Sequence, residues 1–109
     1  MNPAKVVRSR VRQLTDLPNV GAATAGDLRL LGIESPAQLV GKDPVELYLQ
    51  LCRKTKSRQD PCVLDVLLSI TDFVAGGKPK PWWEYTAERK RRELLPSDEA
   101  PAAMPGGGR

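Results

Sequence analysis

The 109-residue sequence contains no histidine. That removes the side chain most often used as a general base and as a metal ligand. Two cysteines are present, Cys52 and Cys62, too few to complete a tetrahedral zinc site. Enzymatic chemistry would have to rest on carboxylates, lysines or a thiol, and none is spaced suggestively, so no enzyme is expected. Apolar runs are short: none approaches the roughly 20 residues that span a bilayer. The opening "MNPAKVVRSRVRQL" has charge but no apolar core for a secretory leader. A cytoplasmic location and no membrane contact are therefore the expectation, and a Cys52–Cys62 disulfide is not expected in a reducing compartment. No stretch alternates apolar and polar residues as a strand would.

Positive charge is present in excess, +4 overall, and it is clustered. Lys5, Arg8, Arg10 and Arg12 form one group; Arg53, Lys54, Lys56 and Arg58 a second; Lys78, Lys80 and the run "ERKRRE" a third. Such clusters suit an anionic partner such as nucleic acid. Solvated helix faces are the alternative.

Periodicity and punctuation predict an all-α fold with five main helices. Val7, Val11 and Leu14 fall on one stripe of a helix over residues 5–15, which Pro18 stops. A second helix runs from Ala22 to Leu31, with Gly32 at its C-terminal turn. Ser35-Pro36, Asp43-Pro44 and Asp60-Pro61 each read as an N-cap followed by proline in the first turn. They open helices at 36–41, 44–54 and 61–75. The last is apolar on most sides and should be central, with Asp65, Ser69 and Asp72 as its one polar stripe. That stripe could pair with a basic segment. Gly76-Gly77 ends the helix. An aromatic and basic segment follows and is expected to pack on the domain. The division expected is a helical domain over 1–80, that segment over 81–93, and a disordered tail over 94–109.

The stretch "LTDLPNVGAATAGDLRLLGI", Leu14 to Ile33, matches the helix-hairpin-helix motif throughout. Leu14, Leu17, Val20, Leu28 and Ile33 would wedge two helices together, and Ala25 would be small because they cross closely. Gly21 would supply a backbone conformation or a close approach that a side chain forbids. In this motif the hairpin and the start of the second helix offer backbone N–H groups to a DNA phosphate, aided by the helix dipole. Here Val20, Gly21, Ala22, Ala23 and Thr24 would make that contact, with Arg8, Arg12, Lys54, Lys56 and Arg58 adding charge. The motif also implies a monovalent cation, Na or K, at the main-chain oxygens of Thr15, Leu17 and Val20. Two departures stand out. Asn19 replaces the first glycine of the turn, where its side chain could crowd a phosphate. Ala22-Ala23 stand where DNA binders often carry lysine.

The pieces "LRLLGI", "GKDPVELYLQL", "RQDPCVLDV" and Trp82-Trp83 extend the match. Over about residues 10–90 the sequence resembles the bacterial pathogenicity locus family, small helix-hairpin-helix proteins of which some carry a mitomycin-resistance label. The order of elements suggests a double helix-hairpin-helix whose second hairpin, "KTKSRQDP", is degenerate and basic. The function expected is a non-catalytic, sequence-independent DNA-binding module that reads backbone and not bases. The alternative is a protein-interaction adaptor in which the hairpin only packs helices. Two features stay ambiguous. Cys62 in the first turn of a helix could be an activated thiol or a small packing residue. Of Trp82 and Trp83, one ring is expected on the core and the other at the rim, with base stacking as the competing use.

Overall fold

Aspartate placed directly before proline sets the two longest helices. In a computed structural model, which describes residues 2–94, Asp43 Oδ1 accepts the Val45 amide at 2.9 Å and Asp60 Oδ1 accepts the Cys62 amide at 2.9 Å. Each bond satisfies one orphan donor of a helix start and contributes about 1 kcal/mol. The prolines behind them occupy positions whose own N–H would be unpaired anyway. Ser35-Pro36 opens only a 3-10 turn, Pro36–Leu39, where Gln38 Oε1 accepts the amides of Glu34 and Ser35.

The regular elements among the described residues are all helical, with no strand. The helices are α1 (Ala22–Leu30), α2 (Pro44–Thr55), α3 (Pro61–Val74) and α4 (Thr86–Leu94). None among the described residues is long and apolar enough to cross a membrane. Lys56 ends α2 in the left-handed region, φ 56°, and the Ser57 amide returns to the Cys52 carbonyl. The short connection folds α3 back along α2, and the Tyr48 hydroxyl donates to the Gln59 carbonyl across the turn at 2.5 Å.

The helix expected over residues 5–15 is not there. Three separate 3-10 turns replace it: Pro3–Lys5, Arg8–Arg10 and Leu14–Asp16. Four α-helices, not five, stand among the described residues. The supposed apolar stripe is not buried as a unit, since Val7 is 50% exposed while Leu14 is 1% exposed. A helix this short is marginal without tertiary packing along its length, and two of its stripe residues are β-branched valines. Arg8 provides a competing anchor. Its guanidinium donates to the carbonyls of Phe73 and Gly77 and lies over the Phe73 ring, 4.1 Å from the centroid. The expected tail falls almost wholly outside the described residues.

α3 is the central element. Leu64, Leu67, Leu68, Ile70 and Phe73 are buried, and they join Leu14, Leu17, Val20, Ala25, Leu28, Ile33, Leu39 and Leu47 in one core. In its polar stripe Asp65 and Ser69 are buried and Asp72 is half-buried, and every member is claimed. Asp65, 0% exposed, accepts Thr86 Oγ1 at 2.8 Å and Arg89 Nε at 2.7 Å. Ser69 Oγ accepts from the Asn19 side chain at 3.0 Å, and Asp72 Oδ2 accepts the Tyr85 hydroxyl at 2.6 Å. The polar stripe is the seam on which residues 80–89 dock. The double glycine serves this seam. Gly77 passes so close to Asp72 that a Cβ there would lie 2.5 Å from its carboxylate oxygen.

Removing one partner of a buried ion pair leaves the other charge uncompensated. Arg89→Met should therefore lower unfolding free energy by about 3–5 kcal/mol, read by denaturant titration. Adding Asp65→Asn should recover part of that loss; a single variant as stable as wild type would disprove the seam's importance. The Tyr85 hydroxyl is pushed up, first by burial and then by Asp72, and Tyr48 is pushed up by burial. The folded state thus holds phenolic protons that the unfolded chain releases near pH 10. Stability should be intact below about pH 10 and fall above it. Tyr85→Phe should flatten that alkaline fall.

Candidate nucleic-acid interface

The stretch from Leu14 to Ile33 begins with a turn that satisfies itself. Asp16 Oδ2 accepts the amides of Arg12 at 2.9 Å and Gln13 at 3.0 Å, which holds its carboxyl below the usual range. The Leu17 amide closes the turn on the Leu14 carbonyl at 3.1 Å. Pro18 follows, buried, and has no N–H with which to meet the Thr15 carbonyl. Asn19 then takes the left-handed conformation, φ 69°, which asparagine tolerates better than most residues.

The Asn19 side chain does not crowd the outer face of the turn. It points inward and makes three bonds. Nδ2 donates to Ser69 Oγ at 3.0 Å and to the Lys80 carbonyl at 2.8 Å, and Oδ1 accepts the Trp82 amide at 3.1 Å. A side chain read as an obstacle is the clasp that joins the hairpin to α3 and to the C-terminal segment. The sequence did carry a signal for it: Ser69 belongs to the one polar stripe of a largely apolar helix, and its hydroxyl, which donates to the Val66 carbonyl at 2.7 Å, is left able to accept.

Val20 is buried, and beyond it the chain opens to solvent. Gly21, Ala22 and Ala23 are exposed and Thr24 is half-buried. Gly21 has an ordinary extended backbone, φ −101° and ψ −169°, and a Cβ there would meet nothing within 4 Å. Neither its conformation nor a neighbour inside the protein requires glycine. The first bond of α1 runs from the Ala25 amide to the Gly21 carbonyl at 3.0 Å. No side chain caps the helix, and its first turn carries no acidic residue. The Ala22, Ala23 and Thr24 amides are the orphan donors of a helix N-terminus, with the positive end of its dipole behind them.

The main-chain oxygens of Thr15, Leu17 and Val20 lie along this turn. The Leu17 carbonyl already accepts the Val20 amide at 3.3 Å, while proline and the start of α1 leave those of Thr15 and Val20 without a helical partner. Neutral oxygen donors of this kind suit a monovalent cation. Asp16, the carboxylate within this turn, is directed back to the amides of Arg12 and Gln13.

The basic residues are not gathered into one patch. Arg8 is occupied at the C-terminal end of α3, whereas Lys54, Lys56 and Arg58 lie at its opposite end. The length of α3 separates them by roughly 20 Å. Arg12 is exposed and donates to the nearby Ser9 carbonyl at 3.0 Å. Lys54 and Lys56 are exposed, and Arg58 lies beside the Tyr48 hydroxyl.

No group of three metal-ligating side chains occurs among the described residues. The Cys62 thiol is pushed up, chiefly by its hydrogen bond to the Asp60 carboxylate and then by burial. The helix N-terminus, which would lower it, does not win. Cys62 should react with a neutral thiol reagent at pH 7 more slowly than free cysteine, and Asp60→Asn should speed that reaction. Labelling of wild type faster than free cysteine would reverse this assignment.

Comparison with known proteins bears on most of the chain. A family model described as pathogenicity locus, Cdd1, matches residues 7–91. The mitomycin resistance protein McrB of Streptomyces lavendulae is 46% identical over 78 residues, covering 72% of this chain and 74% of that protein. No solved structure matches. The family match takes in the hairpin, the α2–α3 pair and the docked aromatic segment together, and the chain belongs to the pathogenicity locus family.

Proposed function

We propose that the protein is a non-catalytic, sequence-independent DNA-binding module of the helix-hairpin-helix kind, contacting phosphate through Val20 to Thr24. The observation that carries this reading is the uncapped start of α1 behind a glycine that nothing inside the protein requires. A residue without a side chain is needed there only if something outside comes close. Exposed backbone amides at a helix N-terminus, with no acid in the first turn, suit a phosphate. The Thr24 hydroxyl adds a donor. Arg12, Lys54, Lys56 and Arg58 supply long-range attraction, with the α2–α3 connection acting as the degenerate second hairpin. The Thr15, Leu17 and Val20 carbonyls would hold a Na or K ion that stiffens the turn. Arg8 is left out of the contact, because its guanidinium is engaged with α3. DNA as partner implies a cytoplasmic location.

The competing reading is a protein-interaction adaptor. It draws on exposed apolar side chains, Val40 at 61% and Trp83 at 60%. Titration with a mixed-sequence duplex at two salt concentrations separates the two. Binding should show a dissociation constant on the order of 10⁻⁴ to 10⁻⁶ M near physiological salt and weaken as salt rises. Gly21→Asp is the decisive variant. The new carboxylate caps α1 and should raise stability by up to about 1 kcal/mol. It also occupies the amides and repels phosphate, so duplex binding should fall at least several-fold. Ala23→Lys should tighten binding to all sequences alike, since no base edge is read. A wild type that ignores duplex at low salt would transfer the weight to the adaptor.

A further inference from the structure

The C-terminal segment brings an aromatic ring to the hairpin and leaves it uncovered. The Asn19 carboxamide holds both the Lys80 carbonyl and the Trp82 amide, so residues 80–82 are tied directly to the turn. Trp82 is half-buried. Trp83, the next residue, is 60% exposed, and its ring stands edge-on to that of Trp82, with centroids 5.7 Å apart and planes at 81°. Tyr85 fixes the far end of the same 3-10 turn, Trp82–Tyr85, through its bond to Asp72. Beyond its edge contact with Trp82, this large apolar ring is carried on a turn anchored at both ends and is left mostly in water.

The segment that carries it has a net sign. Lys78, Lys80, Lys90 and Arg91 are exposed on the same segment and outnumber Glu84 and Glu88. Trp82 is bonded to the Asn19 side chain, and Trp83 is one Cα step of 3.8 Å further on, so the ring is mounted within roughly 10 Å of Asn19.

We propose that Trp83 is a stacking platform for an unpaired nucleobase, so that the preferred ligand is DNA with a single-stranded gap, bulge or tail beside the strand held at the hairpin. The inference rests on the backbone-binding reading above and adds to it a choice of DNA structure. A regular duplex hides the faces of its bases, and only its phosphates are available to the amides of α1. An unpaired base offers a flat π-face. Such stacking is indifferent to which base is presented, which keeps the module sequence-independent. Asn19 is the positioning residue, because it sets the aromatic segment against the turn.

The test compares a short mixed-sequence duplex with the same duplex carrying a single-stranded gap. Wild type should bind the gapped form about tenfold more tightly, within the range observed for one stacked base. Trp83→Ala should abolish that preference while leaving affinity for the intact duplex unchanged, and Trp83→Phe should keep part of it. In the Trp82→Phe variant the remaining tryptophan should be quenched by the gapped DNA and not by the duplex. A preference that survives Trp83→Ala, or no preference in wild type, overturns the stacking role; if Gly21→Asp still weakens duplex binding, the hairpin reading stands without it. Wild type that binds neither DNA at low salt overturns both. In that case the exposed ring belongs to a protein partner.

Discussion

A carboxylate at 0% exposure in the middle of an apolar helix is the constraint on which the molecule is organised. The Asp65 carboxylate needs donors there, since an unpaired buried charge costs several kcal/mol. Its donors come from Thr86 and Arg89, more than twenty residues further along the chain. The C-terminal segment is thereby part of the fold. With Ser69 and Asp72 added, α3 carries a line of acceptors that only the hairpin and residues 80–89 can fill.

That line also fixes the relation between the hairpin and the aromatic segment. Asn19 reaches α3 and the segment with the same side chain, so the turn and Trp82 cannot move independently without breaking shared bonds. The buried side of the turn is wholly occupied with structure. The outer side is left bare: a glycine, two alanines and three uncapped amides. This division of labour within one short stretch separates the residues that build the corner from those available to a ligand. Arg8, engaged with the end of α3, likewise serves structure.

Much of the architecture was legible in advance. The Asp-Pro pairs located α2 and α3 because capping and proline geometry are local, requiring only neighbours in sequence. The apolar wedge of Leu14, Leu17, Val20, Leu28 and Ile33, with Ala25 between, is buried as its spacing implied. The first helix failed for a non-local reason. Its stripe had correct periodicity, but no surface existed to bury Val7, and Arg8 gained more at the end of α3. Periodicity records what a helix could bury and says nothing about whether a partner surface is present.

Capping residues, chain breaks, the core wedge, the clustered positive charge and family membership were determined by the sequence alone. Each depends on residue type at fixed short spacing, or on a pattern shared with relatives. The tertiary structure decided which way Asn19 faces, that Arg8 serves α3, that Gly21 answers to nothing inside the protein, and that Trp83 and not Trp82 stands in water. Those outcomes depend on the direction of side chains across contacts some fifty or sixty residues apart. Local preference leaves both faces of a turn open, and only the buried acceptors of α3 select between them.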